Sequence, residues 1–112
     1  MIMADPLPKC ILLVVCEICP TVEDEWNTWY DEVHLPAALA CPGVICGARY
    51  KSEGALLWTE QGRREVRDTV TYATIYEVEG PEVLETPEFR AMAGWYQFKE
   101  HISARTQILR QL

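Results

Sequence analysis

The sequence is short of positive charge. Ten lysines and arginines stand against 17 aspartates and glutamates, a formal net charge of −7 over 112 residues. Nucleic acid and anionic membranes both reward clustered Lys and Arg, so neither is expected as a partner. The one basic cluster, Arg63, Arg64 and Arg67, lies among Glu60, Glu65 and Asp68 and reads as a solvated face. Long hydrophobic runs are also missing: the longest, Ile11 to Val15, is far too short to span a bilayer. Residues Met1 to Lys9 hold prolines and an acid ahead of the lysine, with no charged segment leading into a long apolar one. No signal peptide is expected there, and the cytoplasm is the expected compartment. A Gly-rich phosphate loop, a His-Glu-x-x-His pair and a nucleophile elbow are absent as well, and no cofactor is expected.

What is present points to a packed domain. Hydrophobic residues make up 49% of the chain and four are tryptophans, which excludes a disordered composition. The length favours one domain over residues 1–112. A domain of this size buries only about two-thirds of its unfolded surface, so a second copy would add burial. Five cysteines, Cys10, Cys16, Cys19, Cys41 and Cys46, are an odd number and read as free thiols. Cys16-x-x-Cys19 with Cys41 and Cys46 invites a four-thiolate zinc site. The first pair closes a strand, however, while Cys41 follows a helix running back the other way. About eight strand residues at ~3.3 Å each would separate the pairs. No metal is expected, and the thiols read as apolar filler.

Residues Lys9 to Ile18 are apolar on both faces, as in a central strand covered on each side. Pro20-Thr21 opens a helix, with Thr21 and Asp24 at capping-box spacing and Glu23, Asp24 and Glu25 suiting the positive helix start. A regular helix puts Trp26, Tyr30, Val33 and Ala37 on one stripe, with Trp29 and His34 at its edges. Pro36 cannot donate to the carbonyl of Glu32, so the helix should kink or loosen there. Pro42-Gly43 ends it. Val44 to Lys51 is the second strand. Ser52 to Arg67 reads as a long connection whose apolar middle, Ala55 to Trp58, folds over a neighbouring surface. Asp68 to Val78 is the clearest strand, with Val70, Tyr72, Thr74, Tyr76 and Val78 on one face. Thr86-Pro87 looks like a fresh helix start after Gly80-Pro81. The main helix that follows should turn Phe89, Met92, Ala93 and Tyr96 inward. His101 to Leu109 is the last strand, with His101 exposed.

The order strand, helix, strand, strand, helix, strand predicts an α+β, ferredoxin-like βαββαβ domain with a four-stranded antiparallel sheet. Two helices cover one face of such a sheet. The simplest cover for the other is a second copy, with two-fold symmetry, as a dimeric α+β barrel.

Trp26 to Pro36 is the densest stretch for chemistry. Tyr30 and His34 are four apart and share a helical face. A histidine titrates near working pH and suits proton transfer, a tyrosine can orient or polarise, and Asp31 could hold the imidazole in one tautomer. The competing reading is a structural histidine that caps carbonyls freed by Pro36. Trp26, Tyr50, Tyr72, Tyr76, Trp95 and Tyr96 could converge between helices and sheet as walls for a flat ligand, or simply pack as core.

The pattern Trp29-Tyr30-x-x-x-His34-x-Pro36, then Pro42-Gly43-Val44 and Arg49-Tyr50, resembles the dimeric α+β barrel superfamily. Tyr72-x-x-x-Tyr76-Glu77 and Thr86-Pro87-Glu88-Phe89 fit the same likeness, which covers Lys9 to Leu112. The superfamily includes EthD-like proteins, muconolactone isomerases, small polyketide cyclases and cofactor-independent quinol monooxygenases. The resemblance implies a cavity in each subunit for a small aromatic or polyketide-like molecule. It implies that His34 faces that cavity; together with the spacing above, His34 and Tyr30 are the expected catalytic residues, and Trp26, Tyr50, Tyr72, Trp95 and Phe89 are expected to bind substrate. The implied activity is cyclisation, isomerisation or lyase-type cleavage without a cofactor. Monooxygenation of a phenolic or quinol substrate, and ligand binding without catalysis, are the alternatives.

Overall fold

The computed structural model describes residues 7–66 and 70–112. The start of the Met1 to Lys9 segment, Arg67 of the basic cluster, and Asp68 and Thr69 of the third expected strand lie outside them. A four-stranded antiparallel sheet carries the fold. Strand β1 (Cys10–Ile18) is followed in the chain by β2 (Val44–Lys51), the hairpin strands β3 (Ala55–Thr59) and β4 (Gly62–Val66), then β5 (Thr71–Val78) and β6 (Ile102–Arg110). The main sheet has the order β2-β5-β1-β6, and β3 and β4 form a separate two-stranded sheet. This is the expected ferredoxin-like α+β arrangement.

Alternation along β1 and β5 sorts the two faces. Cys10, Leu12, Val14, Cys16 and Ile18 are buried under the helices, as are Tyr72, Thr74, Tyr76 and Val78. The opposite face carries Ile11, Leu13 and Val15 beside Ala73 and Ile75, paired in register and only half-buried. Burying that apolar row needs a cover from outside the chain's described elements.

The first helical segment departs from a regular helix in a way that matters for function. It begins as a 3-10 turn (Pro20–Val22), becomes α1 (Glu23–Trp29), widens to a π turn (Tyr30–His34) and closes as α2 (Leu35–Leu39). Thr21 does not cap it; its hydroxyl instead sits 3.1 Å from the Cys19 thiol. Pro36 has no amide for the Glu32 carbonyl, and its ring would press on that carbonyl in a regular helix. The helix relaxes one turn earlier, and the Leu35 amide reaches back five residues to the Tyr30 carbonyl. The wider turn shifts the inward stripe. Trp26, Tyr30, His34 and Ala38 are buried, while Val33, expected inside, is 55% exposed.

Three further expectations are corrected. The stretch from Ser52 to Arg67 is not a loose cover: residues 55–66 form a hairpin whose strand residues are all exposed. Tyr50 lies on the open face of the sheet, not among the helices. Val44 pairs with Val78, but a bulge before Cys46 shifts the register, so Tyr50 stands opposite Ala73 and Arg49 opposite Thr74. One extra residue flips every later side chain to the other face. Finally, the second helical region has the expected break and fresh start at Thr86, but its main helix is shorter than expected. After a 3-10 turn (Pro81–Glu85), α3 (Pro87–Met92) starts where Thr86 accepts a hydrogen bond from the Phe89 amide at 3.2 Å. It stops at Met92, and Tyr96 points outward.

Trp26 is fully buried at the centre of the helix-side core, between Tyr30 and Tyr72 at ring distances of 5.4 and 5.0 Å. Trp26→Ala should lower unfolding free energy by about 3–5 kcal/mol. Urea titration measures this, and a loss under about 1 kcal/mol would show that Trp26 does not hold the core.

Candidate functional site

Between helices and sheet lies a partly open cavity of about 130 Å³. Leu12, Val14 and Tyr76 from the sheet form one side. Tyr30 and His34 from the π turn form another, and Phe89, Met92 and Trp95 close it. An apolar cavity of roughly 150 Å³ holds one benzene ring, so this one has one-ring dimensions.

His34 is set among three aromatic rings. Its ring stacks on Trp29 at 4.6 Å, meets Tyr30 edge-on at 4.8 Å and lies 5.2 Å from Trp95. Burial, and secondarily the positive charge of Arg49, push its pKa down to about 4. The imidazole is therefore neutral at pH 7, with a lone pair free to accept a proton, and the same burial and Arg49 charge make it a weaker base than a histidine in water. Asp31 does not orient it. That carboxylate pairs with Arg49 at 2.7 Å.

Tyr30 accepts a hydrogen bond from the Thr74 hydroxyl at 2.8 Å. Burial raises its pKa, opposed by hydrogen bonds from Thr74 and Tyr76. Tyr76 is raised further, chiefly by burial and then by Tyr30 beside it. Both phenols thus stay protonated; Tyr76 gives its hydrogen to Tyr30, whose own hydroxyl is left to donate at the cavity wall.

Arg49 sits behind this wall. Its guanidinium lies 4.2 Å from the Tyr30 ring centre, 4.9 Å from Trp26 and 5.4 Å from Tyr72. It donates to Asn27 Oδ1 at 2.7 Å as well as to Asp31. A cation boxed by three aromatic faces and a carboxylate locks β2 to α1.

Of the residues expected at a site, His34, Tyr30, Trp95 and Phe89 surround this cavity. Trp26 and Tyr72 do not line it; they wall in Arg49, and the Tyr72 hydroxyl donates to Glu23 and accepts from Asn27. Tyr50 is on the far side of the sheet. Tyr76, one of the aromatic residues that could wall a flat ligand, lines the cavity, and so does Met92, expected only as an inward helix residue. Strand alternation with Thr74 was the available signal for Tyr76; nothing local marked Arg49 as inward, because the bulge decides it.

The cysteines are all free. Burial pushes the Cys16 thiol up to about 12, which leaves it unreactive at neutral pH. Among the described residues no three His, Cys, Asp or Glu side chains are grouped to hold a metal. None of the described helices is long and apolar enough to cross a membrane.

No protein-family model matches the chain, and no curated protein matches it in sequence. Solved structures do match. An EthD-family protein from Bacillus halodurans C-125 superposes with a TM-score of 0.60 at 15% identity, covering 92% of this chain and 99% of its own. A structure described as an antibiotic biosynthesis monooxygenase gives 0.65 at 12% identity, covering 92% and 98%. A variant of SnoaB, a cofactor-independent oxygenase from Streptomyces nogalater, gives 0.58 at 11% identity, covering 92% and 93%. At these identities the likeness is one of fold alone, the ferredoxin-like α+β fold expected from the order of the elements.

The depressed His34 pKa fixes a sign for acid stability. Folded protein takes up this proton near pH 4, whereas an unfolded histidine does so at about 6.5. Between those values the unfolded chain holds more protons, so stability falls as pH drops through that window. His34→Leu should remove part of that fall in thermal unfolding measured from pH 7 to pH 4. An unchanged slope would show that His34 is not buried neutral.

Proposed function

We propose that this protein is an enzyme that uses neutral His34 as a general base on a small aromatic or polyketide-like molecule in the cavity. The observation that carries the reading is the placement of a neutral imidazole inside an otherwise apolar, one-ring cavity beside two protonated phenols. Such a base can take a proton from carbon next to a carbonyl or from a phenol. The Tyr30 hydroxyl, which accepts from Thr74 and Tyr76, keeps its own proton to donate to the oxygen on which negative charge develops. This proton transfer needs no cofactor. Trp95, Phe89 and Met92 hold the ring and keep water from the anion.

Cyclisation, isomerisation or carbon–carbon cleavage can follow from that anion. A second reading, monooxygenation, is favoured by fold neighbours described as monooxygenases and as a cofactor-independent oxygenase. There the anion itself would give electrons to molecular oxygen. Oxygen consumption equal to substrate turnover selects the second reading, and turnover under argon selects the first.

The open sheet face completes the proposal. Two copies packed through Leu13, Val15, Ala73 and Ile75 would bury the apolar row that no described element covers. The cavity lies on the opposite face, so each copy keeps its own site.

Three outcomes are expected. With any turned-over monocyclic phenol or aryl ketone, His34→Ala should lower kcat by about 10²–10⁴-fold. Unchanged turnover would remove His34 as the base, and no turnover of such compounds by the wild type would leave ligand binding without catalysis as the function. Tyr30→Phe should lower kcat by a smaller factor while retaining the fold. Sedimentation should give about twice the 12.8 kDa chain mass. Leu13→Asp with Ile75→Asp should give monomers, and a wild-type monomer would remove the dimer alone.

A further inference from the structure

A second concavity, about 640 Å³ and open to solvent, lies directly outside the first. The two share His34, Met92, Ala93 and Gly94 as a common wall. The outer groove adds Trp29, Val33, Ala37 and Tyr96. His34 is therefore not at the dead end of a pocket but at the junction of two compartments.

Tyr96 is the unusual residue of this groove. It has φ of +52° and is the one non-glycine residue with positive φ among the described residues. For a residue with a bulky side chain this conformation is disfavoured, because Cβ crowds the following carbonyl oxygen. Little in the chain offsets that cost, since Tyr96 is 67% exposed. The backbone strain nonetheless brings its ring parallel to Trp29, 18° apart in plane and 6.1 Å between centres. Trp29 in turn stacks on His34. Strain kept without burial, at the edge of a cleft, is typical of a side chain that a ligand covers.

We propose that the groove is the second half of the ligand site and that Tyr96 determines specificity there. This rests on the cavity reading above and narrows its substrate class. The ligand has one ring that fits the inner cavity and a second flat or apolar group that leaves past His34 and lies against Tyr96 and Trp29. Met92, flexible and shared by both compartments, can adjust to the link between the two parts. Tyr96 acts through contact area and not through proton transfer, so its loss should affect affinity for the outer group and leave the chemistry of one-ring compounds intact.

The test compares two probes on the intact chain by calorimetry and by NMR of the indole signals: phenol, with one ring, and 4-benzylphenol, with a second ring on a one-carbon link. Wild type should bind 4-benzylphenol at least tenfold more tightly than phenol. Tyr96→Gly, which suits a positive φ, should abolish that preference without weakening phenol. Tyr96→Asn, also tolerant of this backbone, should do the same, and Tyr96→Phe should keep the preference. Equal affinity of wild type for both probes, with phenol bound, would overturn the two-compartment site and leave the cavity reading intact. A preference that survives in both Tyr96→Gly and Tyr96→Asn would overturn the role of Tyr96. Failure of wild type to bind either probe would overturn the cavity reading and this one with it.

Discussion

The absence of one amide hydrogen organises this molecule. Pro36 cannot close the last regular turn onto Glu32, and the helix answers by widening between Tyr30 and His34. The consequence is rotational. A regular helix would leave His34 at the stripe edge and bury Val33; the π turn buries His34 and exposes Val33. Everything proposed for the site depends on that rotation, because it moves an ionisable ring from solvent into an aromatic box.

Once inside, the ring is kept neutral by its surroundings and not by a partner carboxylate. Burial is the larger cause and Arg49 the smaller. Arg49 is itself a product of a backbone irregularity, the bulge between Val44 and Cys46 that turns it toward the helices. Two local defects, one in a helix and one in a strand, therefore cooperate. The cation sits behind Tyr30 and ties β2 to α1 through Asp31 and Asn27, while its field disfavours a second positive charge on His34.

These two defects also separate what the sequence makes legible from what it hides. Periodicity of two exposes the inward row of β5, from Tyr72 to Val78, and the apolar character of both faces of β1. Thr86-Pro87 marks a helix start because capping chemistry is local. His34 is recognisable as a candidate from its residue type and from Tyr30 four positions before it. Its depth is not, since Pro36 signals disturbance without fixing its form. Tyr50 misleads because alternation counted from Val44 points it inward until the bulge adds a residue. The hairpin from Ala55 to Val66 lacks clean alternation, and its exposure on all sides leaves no buried face to read. The break after Met92 is likewise hidden, because Ala93 and Gly94 sit in a segment with helical apolar spacing.

The central claim is that His34 is a buried neutral base. Its most direct measurement is the NMR pH titration of the His34 ring, assigned by the signal lost in His34→Leu. The account predicts a midpoint near pH 4, with a neutral ring throughout the range where the protein would work. A midpoint at or above the ordinary value of about 6.5 would contradict it, placing the ring in water or beside an anion.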